Sequence, residues 1–152
     1  MTLHSVDLAS RGTPGPTLSV VLPMRNESRG LERLFARLVP VLQETGLPFE
    51  IVTIDDGSTD DTLQRLKAFR ATVPGLKVVS LSRNFGKEIA VTAGLARTSG
   101  AAVILMDSDL QHPPEGIPAL IAPWRDQGLA IVYARRVGLD RGGAMRKVMT
   151  RT

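Results

Sequence analysis

Five short apolar runs, separated by segments with helical periodicity, constrain the fold of this chain more than any other feature. The first run is 18–23 (LSVVLP), and the others are 49–54, 76–81, 101–106 and 129–133. Runs this short and this continuously apolar are typical of strands that are buried on both faces. Because segments of helical length lie between them, right-handed crossovers and a mainly parallel sheet are expected. The sequence therefore predicts an α/β fold, an open sheet sandwiched by helices.

The segments between the runs also carry signals for where helices begin and how they pack. Asn26 is expected to cap the first helix, and Pro40 is expected to kink or split it. Thr59 or Asp60 is expected to cap the second helix. The third helix, predicted over 86–98, is rich in Ala and Gly, which favours close packing against the sheet. A Pro-Pro pair opens the fourth.

The composition excludes several classes of protein. The 152 residues include no cysteine, so disulfide scaffolds, thiolate zinc sites, iron–sulfur clusters and thiol catalysis are excluded. No run approaches the roughly 18 apolar residues that a membrane span requires, and the N-terminus, with Asp7, does not have the pattern of a secretory signal. The length and the 43% hydrophobic content suit one domain with a real core.

The net charge of +4 is concentrated at the C-terminal end. Residues 135–152 carry +5 and the rest of the chain −1, which indicates a local anionic partner. This end lacks aromatic residues for base stacking, which argues against nucleic acid as that partner. We expect a flexible segment at 1–16, a domain at 17–136 and a basic amphipathic tail at 137–152, either an interfacial helix or one docked on its own domain.

Three predicted strands are followed by loops with side chains capable of chemistry. In an open parallel sheet, ligands bind outside the carboxyl ends of the strands. The loop after the fourth strand holds Asp107 and Asp109, which together with Gln111 could address one Mg²⁺ or Mn²⁺ ion, since hard oxygen ligands suit these cations. A turn or a helix cap would use the same two acids without a metal. His112 beside them is more typical of a structural hydrogen-bond donor.

Two further loops suggest a nucleotide. Asp55 and Asp56 follow the second strand, where acids can bind ribose hydroxyls or a base, although a plain turn with a helix cap also fits. Lys87 follows a glycine at the start of the third helix, a place suited to phosphate. The dinucleotide fingerprint, the Walker loop and the nucleophile elbow of α/β-hydrolases are all absent from the sequence.

Four motifs in order resemble glycosyltransferase family 2, whose fold is GT-A, a Rossmann-like nucleotide-sugar-binding fold. They are VVLPMRNE, IVTIDDGSTDDT, LSRNFGKE and VILMDSDLQHPPE, and the resemblance covers about residues 18–136. Within the family the chain is most similar to polyprenyl-phosphate glycosyltransferases of the dolichol-phosphate mannosyltransferase type. Members of this group usually continue into membrane helices or a longer interfacial segment.

The resemblance implies a role for particular side chains. Pro23, Asn26, Glu27, Asp55, Asp56 and Lys87 would bind the nucleotide. Asp107, Asp109 and Gln111 would hold a divalent cation on the donor diphosphate, with Asp107 also contacting the nucleotide. Asp109 and Arg136 would be catalytic, and Arg136, Arg146 and Thr150 would grip the lipid phosphate.

This chemistry agrees with the residue types present. A diphosphate leaving group needs a metal and cations, and a phosphate acceptor is already an anion that arginines can position. We therefore expect metal-dependent, inverting transfer of a sugar from a UDP- or GDP-sugar to a polyprenyl phosphate. The basic tail would hold the protein at the cytoplasmic face of an anionic membrane. The alternatives are a saccharide or protein acceptor, or a nucleotide-binding domain without turnover; a phosphoacceptor receiver domain would need acids after different strands.

Overall fold

The core of the fold is a parallel sheet of four strands. A computed structural model describes residues 17–134 together with the backbone of 147–150. The strands are β1 (Leu18–Met24), β2 (Phe49–Asp55), β3 (Leu76–Ser80) and β4 (Ala102–Leu105). They pair in the order β3-β2-β1-β4, with Leu18 of β1 opposite Phe49 on one side and Ala102 on the other. The predicted parallel α/β architecture is confirmed.

Four helices cover the two faces of this sheet. They are α1 (Leu31–Glu44), α2 (Thr62–Phe69), α3 (Lys87–Leu95) and α4 (Ile117–Gln127), and 3₁₀ turns at Ser28–Gly30 and Pro114–Gly116 precede α1 and α4. Residues of α1, α2 and α4 share one apolar core with β1, whereas α3 packs on the other face against β1 and β2. Since every residue of β1 is buried, the continuous apolar run that predicted this strand reflects its central place.

The expected split of the first helix at Pro40 is wrong. Helix α1 continues through Pro40 to Glu44. Proline removes one helical hydrogen bond at a cost of about 3 kcal/mol. Buried apolar side chains on both sides of the proline, among them Leu38 and Val41, hold the helix against the core and offset that cost.

Small residues bring α3 close to the sheet, as the sequence predicted. A Cβ placed on Gly94 would lie 2.5 Å from Cδ1 of Ile54 and 2.7 Å from a methyl group of Val21. Such distances are far below van der Waals contact, so glycine lets the helix backbone approach the strands directly. This packing fixes α3 over the middle of β1 and β2, and thereby fixes where the start of α3 lies at the carboxyl edge.

The chain beyond α4 differs from the prediction. Strand β5 (Ile131–Ala134) pairs antiparallel with β6 (Lys147–Thr150) in a separate two-stranded sheet. The expectation that the basic tail forms a helix is therefore wrong for 147–150. A four-residue segment is too short for its apolar spacing to distinguish a helix from a strand, and its pairing partner is remote in sequence. Within the described part of the chain, no helix is long and apolar enough to cross a membrane.

One of the two helix-cap predictions needs correction. Asn26 does not cap α1; it adopts a positive φ of 54° and bonds to the loop after β2 instead. At α2 the preceding residue is Asp61, and a carboxylate oxygen of Asp60 accepts the N–H of Thr62, the first residue of the helix, at 3.0 Å. The side chain of Asn26 therefore stabilises a loop, whereas that of Asp60 stabilises the start of α2 as predicted.

A buried carboxylate lies at the opposite, amino-terminal edge of the sheet. Glu50 of β2 is 3% exposed and accepts hydrogen bonds from the Ser19 hydroxyl at 2.6 Å and the Ser99 N–H at 2.6 Å. Lys77 of β3 forms an ion pair with it at 2.5 Å. Burial alone would raise the pKa of Glu50, but these donors outweigh burial and lower the pKa to about 2. The network joins β1, β2, β3 and the loop before β4.

Candidate functional site

A cleft of about 460 Å³ opens at the carboxyl edge of the sheet, beside the start of α3. Six of the predicted site residues line it: Pro23, Glu27, Asp56, Lys87, Asp107 and Asp109. They come from the end of β1, from the loops after β1, β2 and β4, and from the first residue of α3, which the parallel topology brings to one edge. Half of the site residues expected from scattered motifs thus line one continuous cleft.

The two acids after β2 lie in different environments. Asp55 is 2% exposed, and its Oδ1 atom has no hydrogen-bond partner within the described part of the chain. Asp56 lines the cleft, and its carboxylate accepts the N–H of Phe85 at 2.7 Å and that of Gly86 at 2.9 Å. The carboxylate of Asp56 therefore holds the loop that leads into α3, a role the sequence did not predict.

Gly57 allows the loops after β2 and β3 to meet. Its φ is +63°, and a Cβ placed on it would overlap the backbone of Arg83 and Asn84. Any larger residue would both strain the backbone and push the two loops apart. This close approach sets the position of Asn84, whose carboxamide oxygen accepts the N–H of Gly86 at 3.1 Å.

Asn26 joins two of the loops that form the cleft, although it does not line the cleft itself. Its carboxamide oxygen accepts the N–H of Thr59 at 2.8 Å, and its own N–H donates to the Ser58 hydroxyl at 2.9 Å. These bonds join the loop after β1 to the loop after β2. Asn26 is not among the residues that line the cleft, so the structure places it as a support for the nucleotide-binding residues expected around it.

Glu27 has a perturbed pKa. Burial raises the pKa of its carboxyl above the ordinary value, the charges of Asp109 and Asp60 raise it further, and a hydrogen bond with Ser108 acts in the opposite direction. Its carboxylate therefore lies in a partly desolvated, negatively charged part of the cleft. A raised carboxyl pKa inside a cleft is a frequent mark of a functional site.

The loop after β4 supplies the predicted metal ligands. Asp107 and Asp109 line the cleft, and an Asp109 oxygen accepts the N–H of Gln111 at 2.9 Å. The Gln111 side chain is exposed and Gln111 does not line the cleft. His112 is exposed too and lines a separate apolar cavity of about 650 Å³ along β4 and α4. The structure therefore brings together two of the three predicted ligands.

These two carboxylates fit a hard divalent cation that is also held by a substrate. Within the described residues, no group of three or more His, Cys, Asp or Glu side chains is placed to hold an ion. Mg²⁺ commonly takes only one or two protein carboxylates and completes its shell with phosphates and water. Asp107 and Asp109 would hold such an ion, which would supply positive charge to a departing diphosphate.

The cation of Lys87 is already paired inside the cleft. Its ammonium lies 2.5 Å from Oδ1 of Asp107, joining the start of α3 to the end of β4. Lys87 and Asp107 also line the apolar cavity along β4, so the ion pair stands where the two cavities meet. The sequence predicted each residue as part of the site but not their contact, because they are 20 positions apart.

The predicted lipid-phosphate residues lie beyond the part of the site that can be described. Arg136 and Arg146 fall outside the described residues. Thr150 ends β6, where the backbone alone is described. Conversely, the cleft includes residues to which the sequence assigned no role: Met24, Arg25, Asn84 and Ser108. Their place in the quoted motifs was the available signal.

A known family matches most of the chain. The family described as Glycosyl transferase family 2 matches residues 19–150. The chain belongs to glycosyltransferase family 2. The resemblance inferred from the four motifs is thereby confirmed, and so is the GT-A fold.

Individual family members extend the comparison. An uncharacterized glycosyltransferase from Synechocystis sp. is 50% identical over 119 residues, which is 78% of this chain and 37% of that protein. An undecaprenyl-phosphate 4-deoxy-4-formamido-L-arabinose transferase from Serratia proteamaculans is 41% identical over 74% of this chain and 35% of its own length. The chain thus spans a little over a third of these relatives.

A solved structure shows a related fold with ligands bound. Glucosyl-3-phosphoglycerate synthase from Mycobacterium tuberculosis, in complex with Mn²⁺, UDP and glucosyl-3-phosphoglycerate, is 36% identical to this chain. The match has a TM-score of 0.56 and covers 72% of this chain and 39% of the synthase. This neighbour therefore combines a related fold with a divalent metal and a uridine nucleotide.

Proposed function

We propose that this chain is the donor-binding domain of a metal-dependent, inverting glycosyltransferase. It binds a UDP- or GDP-sugar, and the sugar passes to a polyprenyl phosphate at the cytoplasmic face of a membrane. The observation that carries the proposal is the pair of carboxylates, Asp107 and Asp109, facing one cleft beside Lys87. The Mn²⁺ and UDP bound by the mycobacterial neighbour support the donor, and the name of the Serratia relative supports the acceptor.

Different residues of the cleft bind different parts of the donor. Pro23, Glu27 and Asp56, which line the cleft, take the base and ribose. Asn26 joins the loops after β1 and β2, so it acts on the nucleotide by positioning these loops, and Asp55 is buried beside Asp56 in the sequence. Lys87 donates to the donor diphosphate, beside the cation that Asp107 and Asp109 would hold.

The transfer itself needs charge compensation more than proton transfer. Negative charge grows on the departing diphosphate, and a divalent cation held by Asp107 and Asp109 would supply positive charge there. The acceptor phosphate is an anion already, so arginines that position it, Arg136 and Arg146 with Thr150, replace a general base. Attack from the face opposite the leaving group inverts the anomeric centre.

Calorimetry of Mn²⁺ and nucleotide binding tests the donor part of this proposal. The wild-type chain is expected to bind UDP or GDP more tightly with Mn²⁺ than without it, and Asp109→Ala is expected to abolish that difference. Asp126→Ala, at an exposed acid of α4 remote from the cleft, is the matched control. Mn²⁺-linked nucleotide affinity that is unchanged in Asp109→Ala contradicts the metal role.

Donor consumption by the full-length protein tests the acceptor. Turnover of UDP- or GDP-sugar that depends on polyprenyl phosphate is the expected result. Turnover with a saccharide or protein acceptor alone contradicts the lipid assignment, and nucleotide binding without turnover on any acceptor contradicts catalysis.

A further inference from the structure

The ion pair between Lys87 and Asp107 occupies an atom that the proposed cation also requires. The Lys87 ammonium lies 2.5 Å from Oδ1 of Asp107. A hard cation held by Asp107 would bind through the same carboxylate. The pair is not locked in the interior, since the side chain of Lys87 is 61% exposed and that of Asp107 is 37% exposed. The contact can therefore open without unfolding any part of the core.

The charge of the cleft explains why the pair forms. Four carboxylates line the cleft, those of Glu27, Asp56, Asp107 and Asp109, against the cations of Arg25 and Lys87. Like charges so placed repel; at Glu27, burial raises the carboxyl pKa most, and the nearby charge of Asp109 raises it further. Without another cation, Lys87 neutralises one carboxylate of the group.

We infer that Lys87 exchanges partners when the site is loaded. In the empty cleft Lys87 neutralises Asp107, and when a divalent cation takes that carboxylate, Lys87 moves to the donor diphosphate. This inference rests on the proposed function. It means that the Lys87 ammonium leaves a carboxylate of the protein and pairs with the diphosphate of the substrate. It also links metal binding to diphosphate binding through one side chain.

Physical features of Lys87 suit such an exchange. Two cations on one carboxylate repel each other, so occupancy of Asp107 by a metal weakens its hold on the ammonium. A lysine ammonium is a compact charge on a flexible stem with rotatable donors, so it can turn without movement of the backbone. Lys87 is the first residue of α3, which has no side-chain cap, and the free N–H groups there favour an anion nearby.

The exchange predicts that one substitution, Lys87→Met, changes the affinity for Mn²⁺ and the affinity for nucleotide in opposite directions. Mn²⁺ binding without nucleotide, followed by electron paramagnetic resonance of free Mn²⁺, should tighten about two- to fivefold, because an exposed competing ion pair has been removed. UDP or GDP binding at saturating Mn²⁺, measured by calorimetry, should weaken about tenfold, because a charged donor to the diphosphate has been lost.

Lys67→Met provides the matched control, since Lys67 is an exposed lysine of α2 away from the cleft. It is expected to change neither affinity. If Lys87→Met leaves Mn²⁺ affinity unchanged, or weakens both affinities together, the exchange is wrong while the proposed function stands. If the wild-type chain binds no nucleotide with Mn²⁺, the proposed function fails and the exchange fails with it.

Discussion

The carboxylate of Asp56 accepts the backbone N–H of Gly86 at 2.9 Å, so the residue after β2 determines where α3 begins. A second bond from Phe85 N–H, at 2.7 Å, reinforces this hold. The two residues are 30 positions apart, and the contact is made within the cleft itself. A side chain that lines the cleft thus also positions the loop that precedes Lys87.

Asp56→Asn is expected to weaken both stability and nucleotide binding. The amide keeps one acceptor but turns an NH₂ group toward a backbone donor, so one of the two part-buried bonds from Phe85 N–H and Gly86 N–H is lost, at a cost of about 1–3 kcal/mol. Chemical denaturation and calorimetry with UDP or GDP and Mn²⁺ measure the two effects. Asp126→Asn, at an exposed site, is the control, and a variant as stable as wild type would show that the two bonds are dispensable.

Gly94→Ala is expected to destabilise the fold by about 1–3 kcal/mol through overpacking against Ile54 and Val21. Alanine favours the helix itself by up to about 1 kcal/mol, so a net loss identifies the close approach as the cause. Gly30→Ala is the control, because the atom nearest to a Cβ there is 3.9 Å away and its φ is −91°. Equal melting temperatures for Gly94→Ala and wild type would contradict tight packing of α3.

Glu50→Gln is expected to remove part of the pH dependence of stability. The folded pKa of about 2 lies below the ordinary value of 4.5, so the stabilisation is complete above about pH 4.5 and is lost as the pH falls toward 2. A shift of this size corresponds to about 3 kcal/mol. Urea unfolding from pH 7 to pH 2 measures it in wild type and variant.

The exposed acid Glu44, at the end of α1, gives the matched Glu44→Gln control. The wild type and this control are expected to lose stability in parallel as the pH falls. Glu50→Gln should start lower at neutral pH and decline less. Parallel curves for all three proteins would show that the buried network adds no pH dependence.

The double variant Arg146→Ala, Lys147→Ala is expected to weaken binding to vesicles of anionic lipid by about tenfold or more. Each basic residue near an anionic surface contributes about 1 kcal/mol before screening. Sedimentation with vesicles measures the effect, and soluble nucleotide affinity should not change. The control replaces Lys67 and Arg125, two exposed basic residues on α2 and α4. Equal sedimentation of all proteins would show that the basic tail does not contribute to membrane binding.

Much of the fold could be predicted because its signals are local. The apolar runs identified all four strands of the parallel sheet, and the small residues of α3 predicted its close packing on the sheet. The parallel arrangement then placed Asp56, Lys87 and Asp107 at one edge. Each of these inferences needed only a short segment and a general rule about α/β sheets.

What could not be predicted depends on partners distant in sequence. Asn26 supports a loop more than 30 residues away instead of capping the adjacent helix, and Pro40 is tolerated because the core holds α1 on both sides of it. The strand Lys147–Thr150 forms by pairing with β5. The Lys87–Asp107 ion pair could not be predicted either, because no local sequence pattern indicates it.

Gly57 limits how the proposed donor site can be redesigned. Because a hydrogen atom is all that fits between the loops after β2 and β3, selection for a new base or sugar has no freedom at that position. Variation has room instead at Arg25, an exposed residue that borders the cleft and lies outside the contact between these two loops. A library built around that position would sample specificity while the scaffold of the site stays intact.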